Sequence, residues 1–219
     1  MKTLFLIRHG ESVLNLERRI QGQLDSNLTE RGREQVRRLS SKIMDLKIDK
    51  LYSSPLKRTI ETAEIVSTAS GKEIVTDNNI MEINMGEWEG ISFQTFMSQD
   101  PELFKMFVQC PANVKIPGGE KIINFRNRII EWLDKILQMS DNTVALVTHA
   151  GVINTILCYV LGQDMNSLWR FKTENSSLCE IFFNGNSARV MKINDTTHLT
   201  DDLRGLKLGA GFSKGESNA

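Results

Sequence analysis

Hydrophobic residues along this chain form two kinds of pattern, short continuous runs and longer stretches with a spacing of three or four residues. Continuous apolar runs are typical of strands that are buried on both faces. They predict strands at 3–7, 51–53, 73–75 and 143–148, and a final hairpin of 178–183 and 188–193 turning at Asn184-Gly185.

The spaced stretches predict helices between those strands. Val36, Leu39 and Ile43 share one face of a helix that begins after Thr29, a residue type that caps helix N-termini. Further helices are expected from near Pro55, over 122–137 and over 152–161, with a helical insertion at about 91–116. Because strands alternate with helices, we expect a three-layer α/β/α fold with a mostly parallel central sheet.

Length and composition set the outer limits. The 219 residues suit one domain, predicted at 1–204, with a mobile tail at 205–219 that is rich in Gly, Lys and Ser. The 27 basic and 27 acidic residues cancel, which argues against nucleic acid or a membrane surface as a partner. The three cysteines are widely separated, so no disulfide framework is visible and we expect a cytoplasmic protein.

The candidate chemistry lies where predicted parallel strands end. Arg8, His9 and Gly10 follow the first strand, and His149-Ala150-Gly151 follow the strand at 143–148. Arg58 comes shortly after the second strand, near the start of its helix. Ligands bind beyond the carboxyl ends of such strands, where helix N-termini favour anions and arginine forks fit phosphate oxygens. We therefore predict a phosphate site at this edge of the sheet.

Signatures of other phosphoryl-transfer chemistries are missing from the sequence. It contains no G-x-x-x-x-G-K-[ST] loop, no cysteine with arginine six positions later, and no D-x-D near a predicted strand end. Its carboxylates and histidines show no obvious metal-ligand spacing. Histidine is therefore the best candidate nucleophile, and we expect neither a metal nor a cofactor.

Several blocks of sequence extend this pattern. In chain order they are RHGE at 8–11, Asn15 with RIQG at 19–22, DSNLTERG at 25–32, SSPLKRTIETA at 53–63, Met81-Glu82 with MGEWEG at 85–90, and THAGV at 148–152. Together they resemble the histidine phosphatase superfamily, in its phosphoglycerate-mutase-like branch. The turn Pro117-Gly118-Gly119-Glu120 also resembles a family segment, although Lys121 stands where serine is common.

The resemblance implies a role for each matching residue. His9 is the nucleophile that forms phosphohistidine, and Glu82 is the acid that protonates the leaving oxygen and later activates water. The phosphoryl oxygens are held by Arg8, Arg58 and a protonated His149, whose pKa a bound phosphate dianion raises. Further phosphate contacts are implied for Gly10, Asn15, Gln21, Gly22, Ala150 and Gly151.

The sequence leaves more than one activity open. The preferred reading is hydrolysis of a small phosphorylated metabolite, with α-ribazole 5'-phosphate as one candidate. The first alternative is a 2,3-bisphosphoglycerate-dependent phosphoglycerate mutase, and the second is a non-catalytic phosphate-binding or scaffold protein. The Phe and Met residues after the acid either make the mouth of the site less polar or pack the insertion. A homodimer stays open, and His198 has no assigned role.

Overall fold

A central six-stranded sheet organises the protein, in a computed structural model that describes residues 1–185 and 187–204. Its strands are β1 (Lys2–Arg8), β2 (Lys50–Ser53), β3 (Ile74–Thr76), β4 (Thr143–Thr148), β5 (Leu178–Asn184) and β6 (Ser187–Asp195). The spatial order is β3-β2-β4-β1-β5-β6. The first four pair in parallel, whereas β5 runs antiparallel to β1 and β6 antiparallel to β5. The predicted mostly parallel sheet is confirmed.

Seven α-helices connect and cover the strands within the described residues. They are α1 (Val13–Leu16), α2 (Glu30–Asp45), α3 (Lys57–Ser70), α4 (Phe93–Gln99), α5 (Pro101–Gln109), α6 (Ile122–Gln138) and α7 (Ala150–Val160). Short 3-10 turns lie at Asn78–Ile80, Gly86–Trp88, Pro111–Asn113 and Met165–Ser167. The predicted cap of α2 is correct, because the Thr29 side chain accepts a hydrogen bond from the Gly32 N–H. Helix α1 was not predicted; it is a single turn capped by Ser12.

The sheet separates two hydrophobic cores, which makes the fold three-layered. Along β1, Leu4 and Leu6 belong to the core that includes α6 and α7. Phe5 and Ile7, which alternate with them, belong to the core under α2 and α3. Because successive side chains of a strand point to opposite faces, β1 is buried on both sides, as its continuous apolar run indicates.

The predicted helical insertion is formed by α4 and α5. Its Phe96 and Phe107 are buried, and their rings lie 4.6 and 5.7 Å from that of Trp88. Phe107 also meets Trp169, with 5.4 Å between ring centroids. These aromatics therefore pack the insertion onto the domain rather than lining a mouth. Phe93, Met97 and Met106 of the insertion remain exposed, so for these three side chains the less polar mouth stays a prediction.

Two sequence predictions concern regions at the limits of the described chain. The hairpin between β5 and β6 is present, but Asn186 in its turn lies outside the described residues. The predicted mobile tail at 205–219 also lies outside them. Across 1–185 and 187–204, none of the helices is long and apolar enough to span a bilayer.

Candidate active site

Three neighbouring parallel strands bring the candidate residues to one edge of the sheet. Strand β4 lies between β1 and β2, and Arg8 stands opposite Thr148 in the register. The residues that follow therefore converge. The rings of His9 and His149 lie 5.3 Å apart between centroids, in an edge-to-face arrangement, and the Arg58 guanidinium reaches His149. Residues that are far apart in sequence thus form one buried positive cluster, as the sequence predicts.

His9 is held in a form suited to nucleophilic attack. Its Nδ1 lies 2.7 Å from the Gly10 carbonyl oxygen, which can only accept a hydrogen bond. The proton is therefore on Nδ1, and the lone pair is on Nε2. Burial, followed by the positive charges of Arg58 and Arg8, lowers the pKa of His9 well below its usual value. The imidazole is consequently neutral near pH 7.

His149 is the second buried histidine of the cluster. The Arg58 Nε–H donates to its Nδ1 at 3.3 Å, so its own proton lies on Nε2 and faces the Ser54 hydroxyl oxygen at 2.8 Å. Burial, then Arg58 and His9, lower its pKa well below the usual value. The protonated His149 expected in a phosphate complex stays a prediction, since a bound dianion would raise this pKa.

The two arginines differ in how they are held. Arg58 is 1% exposed and donates to the carbonyls of Gly22 at 2.7 Å and Leu24 at 2.9 Å, besides His149. Burial lowers its pKa to about 10, which leaves it charged at neutral pH, with two N–H groups still available. Arg8 donates one bond, to the Thr173 carbonyl, and its buried Nε has no hydrogen-bond partner among the described residues. Both arginines can therefore donate to a phosphoryl group.

Glu82 meets the cluster at the start of α7. One carboxylate oxygen accepts from the Ile83 N–H at 2.9 Å and the other from the Gly151 N–H at 3.1 Å. A Cβ at position 151 would stand 2.2 Å from the Glu82 carboxylate, so only glycine permits this approach. Gly151 was predicted to bind phosphate, and the structure instead directs its N–H to Glu82. Ala150 begins α7 beside it.

The first phosphate loop is arranged around Ser12. The Asn15 amide oxygen accepts from the Ser12 N–H at 3.2 Å, and the Gln21 amide oxygen accepts from the Ser12 hydroxyl at 2.8 Å. Because both oxygens are engaged, both amide nitrogens remain as donors for a phosphate. Gly22 and Gly10, for which phosphate contacts were predicted, hold site residues through their carbonyls. The Gly22 carbonyl accepts from Arg58, and the Gly10 carbonyl accepts from His9.

Asn175 belongs to the site and was missed by sequence reasoning. Its amide nitrogen lies 3.2 Å from the His9 carbonyl oxygen, 3.3 Å from that of Gly10 and 3.0 Å from the Asn15 amide oxygen. A signal was available, since a polar run (174–177) directly precedes β5. Using it required knowing that the start of β5 lies beside the end of β1, where Leu178 pairs with Ile7.

Over residues 1–185 and 187–204, no three or more His, Cys, Asp or Glu side chains are placed to hold a metal ion together.

Comparison with known proteins agrees with this geometry. A family model described as histidine phosphatase superfamily (branch 1) matches residues 4–196. The chain is 35% identical over 200 residues to phosphoserine phosphatase 1 of Hydrogenobacter thermophilus, covering 91% of this chain and 95% of that protein. It is 34% identical over 182 residues to a probable phosphoglycerate mutase GpmB of Erwinia tasmaniensis, covering 83% and 85%.

A solved structure shows the same architecture. YhfR of Bacillus stearothermophilus superposes with a TM-score of 0.85 at 32% identity, covering 90% of this chain and 99% of that one. The family match spans the first strand to the last, and it includes both histidines, both arginines and Glu82. The protein therefore belongs to the histidine phosphatase superfamily, branch 1.

Proposed function

We propose that this protein hydrolyses small phosphomonoesters through a phosphohistidine on His9, without a metal ion. The observation that carries the proposal is the tautomer of His9. Its Nδ1–H is bound to the Gly10 carbonyl, so the nucleophilic lone pair is on Nε2, beside a cluster of buried cationic and imidazole groups. Arg8 and Arg58 supply charged donors for the phosphoryl oxygens in place of a metal, and His149 joins them once a bound phosphate dianion raises its pKa and protonates it.

The chemistry follows in two steps. In the first, His9 Nε2 attacks phosphorus in line, the P–O ester bond breaks, and Glu82 gives its proton to the leaving oxygen. In the second, the Glu82 carboxylate takes a proton from water while the water oxygen attacks phosphorus. The P–N bond then breaks, which releases inorganic phosphate and restores His9. The Ile83 and Gly151 N–H groups hold the two Glu82 carboxylate oxygens in place for both steps.

O-Phosphoserine is the first substrate to test. The support is the similarity to phosphoserine phosphatase 1, which covers 95% of that protein at 35% identity. An α-ribazole phosphatase of Shigella flexneri has the same fold with a TM-score of 0.80, but its identity of 24% supports the fold alone. α-Ribazole 5'-phosphate, the candidate named from the sequence, is the second substrate to test.

Mutase activity is the alternative function. The observation that favours it is the 34% identity to a protein named probable phosphoglycerate mutase. A mutase retains its phosphohistidine until a second hydroxyl accepts the phosphoryl group, whereas a phosphatase admits water. The two activities therefore differ in the fate of the same intermediate.

One experiment separates these activities. Phosphate release is measured on O-phosphoserine, α-ribazole 5'-phosphate, 3-phosphoglycerate and p-nitrophenyl phosphate, with EDTA and with or without 2,3-bisphosphoglycerate. We expect hydrolysis that persists in EDTA and falls more than about 10³-fold in His9→Ala. Conversion of 3-phosphoglycerate to its 2-isomer, faster than hydrolysis and dependent on the bisphosphate, would establish the mutase instead. Full activity of the His9→Ala protein would overturn the mechanism.

A further inference from the structure

The turn at 117–120 has no part in the chemistry proposed above, yet it lies against the segment that carries Glu82. We call residues 79–86 the acid loop. The Glu120 N–H donates to the Asn84 carbonyl at 2.9 Å, and the Glu87 N–H donates to the Pro117 carbonyl at 3.0 Å. A Cβ at Gly119 would stand 2.6 Å from the Asn84 carbonyl oxygen, so the two backbones are in direct contact.

Arg128, on α6, ties this turn to the acid loop. One edge of its guanidinium makes a bidentate pair with Glu120, with distances of 2.8 and 3.0 Å. Its remaining N–H groups reach the acid loop, donating to the carbonyls of Asn79 at 2.6 Å, Met81 at 2.8 Å and Glu82 itself at 3.0 Å. The side chains of Arg128 and Glu120 are only 19% and 16% exposed, so their ion pair is largely shielded from water.

The position of Glu82 is thereby fixed from two sides. Its carboxylate is held by the N–H groups of Ile83 and Gly151. Its backbone carbonyl is held by Arg128 and also by the Gln23 amide nitrogen, at 3.0 Å. A general acid must lie within hydrogen-bond reach of the leaving oxygen, and a misplacement of about 1 Å can cost about 10²-fold in rate.

We propose that Arg128, paired with Glu120, is a positioning residue for the general acid of this enzyme. It contacts neither the nucleophile nor the phosphate donors, and it acts by fixing the backbone at 79–82. The inference rests on the proposed role of Glu82 as the acid. Lysine cannot reproduce the effect, because an ammonium lacks the planar fork that joins one carboxylate to three carbonyls.

The test compares alkyl and aryl phosphates, because an alkoxide needs a proton on leaving and p-nitrophenolate does not. For Arg128→Met and Arg128→Lys we expect kcat/KM to fall about tenfold to a hundredfold on O-phosphoserine and less than about threefold on p-nitrophenyl phosphate. Glu82→Gln should likewise lower kcat/KM much more on O-phosphoserine than on p-nitrophenyl phosphate. In the double variant Glu82→Gln/Arg128→Met, the decrease in kcat/KM on O-phosphoserine should be no larger than in Glu82→Gln, because the acid that Arg128 positions is already absent.

The matched control is Arg126→Met, two residues earlier on α6, where the guanidinium lies over the Tyr159 ring at 5.9 Å and away from the acid loop. It should leave both rates unchanged. Glu120→Gln provides a second variant if Arg128→Met fails to fold. It should also lower kcat/KM more on O-phosphoserine than on p-nitrophenyl phosphate, by a smaller factor. Circular dichroism and thermal unfolding check that each variant is folded.

The outcomes separate the two proposals. Suppose that Glu82→Gln lowers kcat/KM mainly on O-phosphoserine, whereas folded Arg128→Met lowers it equally on both substrates. Arg128 then has only a structural role, and the inference about Arg128 fails while the acid role of Glu82 stands. Wild-type rates for Arg128→Lys on both esters would also overturn it, since charge rather than the fork would then suffice. If Glu82→Gln slows both esters equally, the acid assignment fails, and the inference about Arg128 fails with it.

Discussion

At the scale of single residues, the nucleophile depends on a short chain of hydrogen bonds that ends at Asn175. The Gly10 carbonyl fixes the His9 tautomer, and the Asn175 amide nitrogen contacts that same carbonyl. The same nitrogen contacts the Asn15 amide oxygen, which leaves the Asn15 nitrogen to face a phosphate. One side chain therefore supports both the attacking group and a phosphate donor, although it is not expected to touch the substrate.

Replacement of Asn175 by aspartate tests this role. The shape is kept, but a carboxylate oxygen replaces the donor opposite three oxygen acceptors, so attraction becomes repulsion. We expect kcat/KM to fall about tenfold to a hundredfold, equivalent to about 1.4–2.8 kcal/mol of transition-state stabilisation. Asn124→Asp, on the exposed face of α6, is the control and should leave the rate unchanged. Equal rates for Asn175→Asp and the parent enzyme would remove Asn175 from the site.

At the scale of secondary-structure elements, the first turn of α2 supports the loop that follows β1. The Thr29 hydroxyl, at the cap of α2, donates to the Glu11 side chain at 2.8 Å, and the Thr29 N–H donates to the Glu11 carbonyl at 2.9 Å. Gly32 brings the helix so close that a Cβ there would stand 2.0 Å from that carbonyl oxygen. The helix therefore sets the backbone position of the residues directly after the nucleophile.

The change Gly32→Ala tests this contact. Because the atoms it would meet are backbone, they cannot move aside as a flexible side chain could. Overpacking of this kind costs about 1–3 kcal/mol, so the free energy of unfolding should fall by that amount in denaturant titrations. Turnover should fall as well, since the loop beside His9 must shift. Ser41→Ala, on the exposed face of the same helix, is the control, and a Gly32→Ala protein as stable as Ser41→Ala would refute the contact.

At the scale of the whole molecule, the three histidines make stability depend on pH. Burial lowers the pKa of His9 and His149 well below the usual value, and it lowers the pKa of the partly buried His198 to about 4. In the unfolded chain each imidazole has a pKa of about 6.5. Below pH 6.5 the unfolded state therefore binds more protons than the folded state, and acid favours unfolding.

We accordingly expect the free energy of unfolding to be level between pH 7.5 and 7 and to decrease as the pH falls below 6.5. His9 and His149 should each lower the free energy of unfolding by an amount approaching about 1.4 kcal/mol per pH unit. The contribution of His198 should be smaller, because its side chain is partly exposed and solvent screens it. Denaturant titrations between pH 7.5 and 5 measure the slope. His9→Gln should make it shallower, and an unchanged slope in that variant would show that His9 is not the source.

The sequence by itself determined the elements of the fold and the principal site residues. The continuous run of β1 and the spaced apolar positions of α2 are local patterns, and each records which faces of its element are buried. His9, His149 and Arg58 could be grouped because parallel strands end at one edge, whatever the detailed packing. The family blocks then supplied Glu82, which lies on no predicted element.

Only the tertiary structure decided which groups each of these residues contacts. Asn175 is 166 positions from His9, and Arg128 is 46 positions from the Glu82 carbonyl that it holds, so no local pattern marks either contact. The role of Gly151 was also decided there, since a backbone N–H group can face either a phosphate or a protein acceptor. Hydrophobic periodicity specifies which side of an element is buried, whereas polar pairing depends on distances that only the packed elements define.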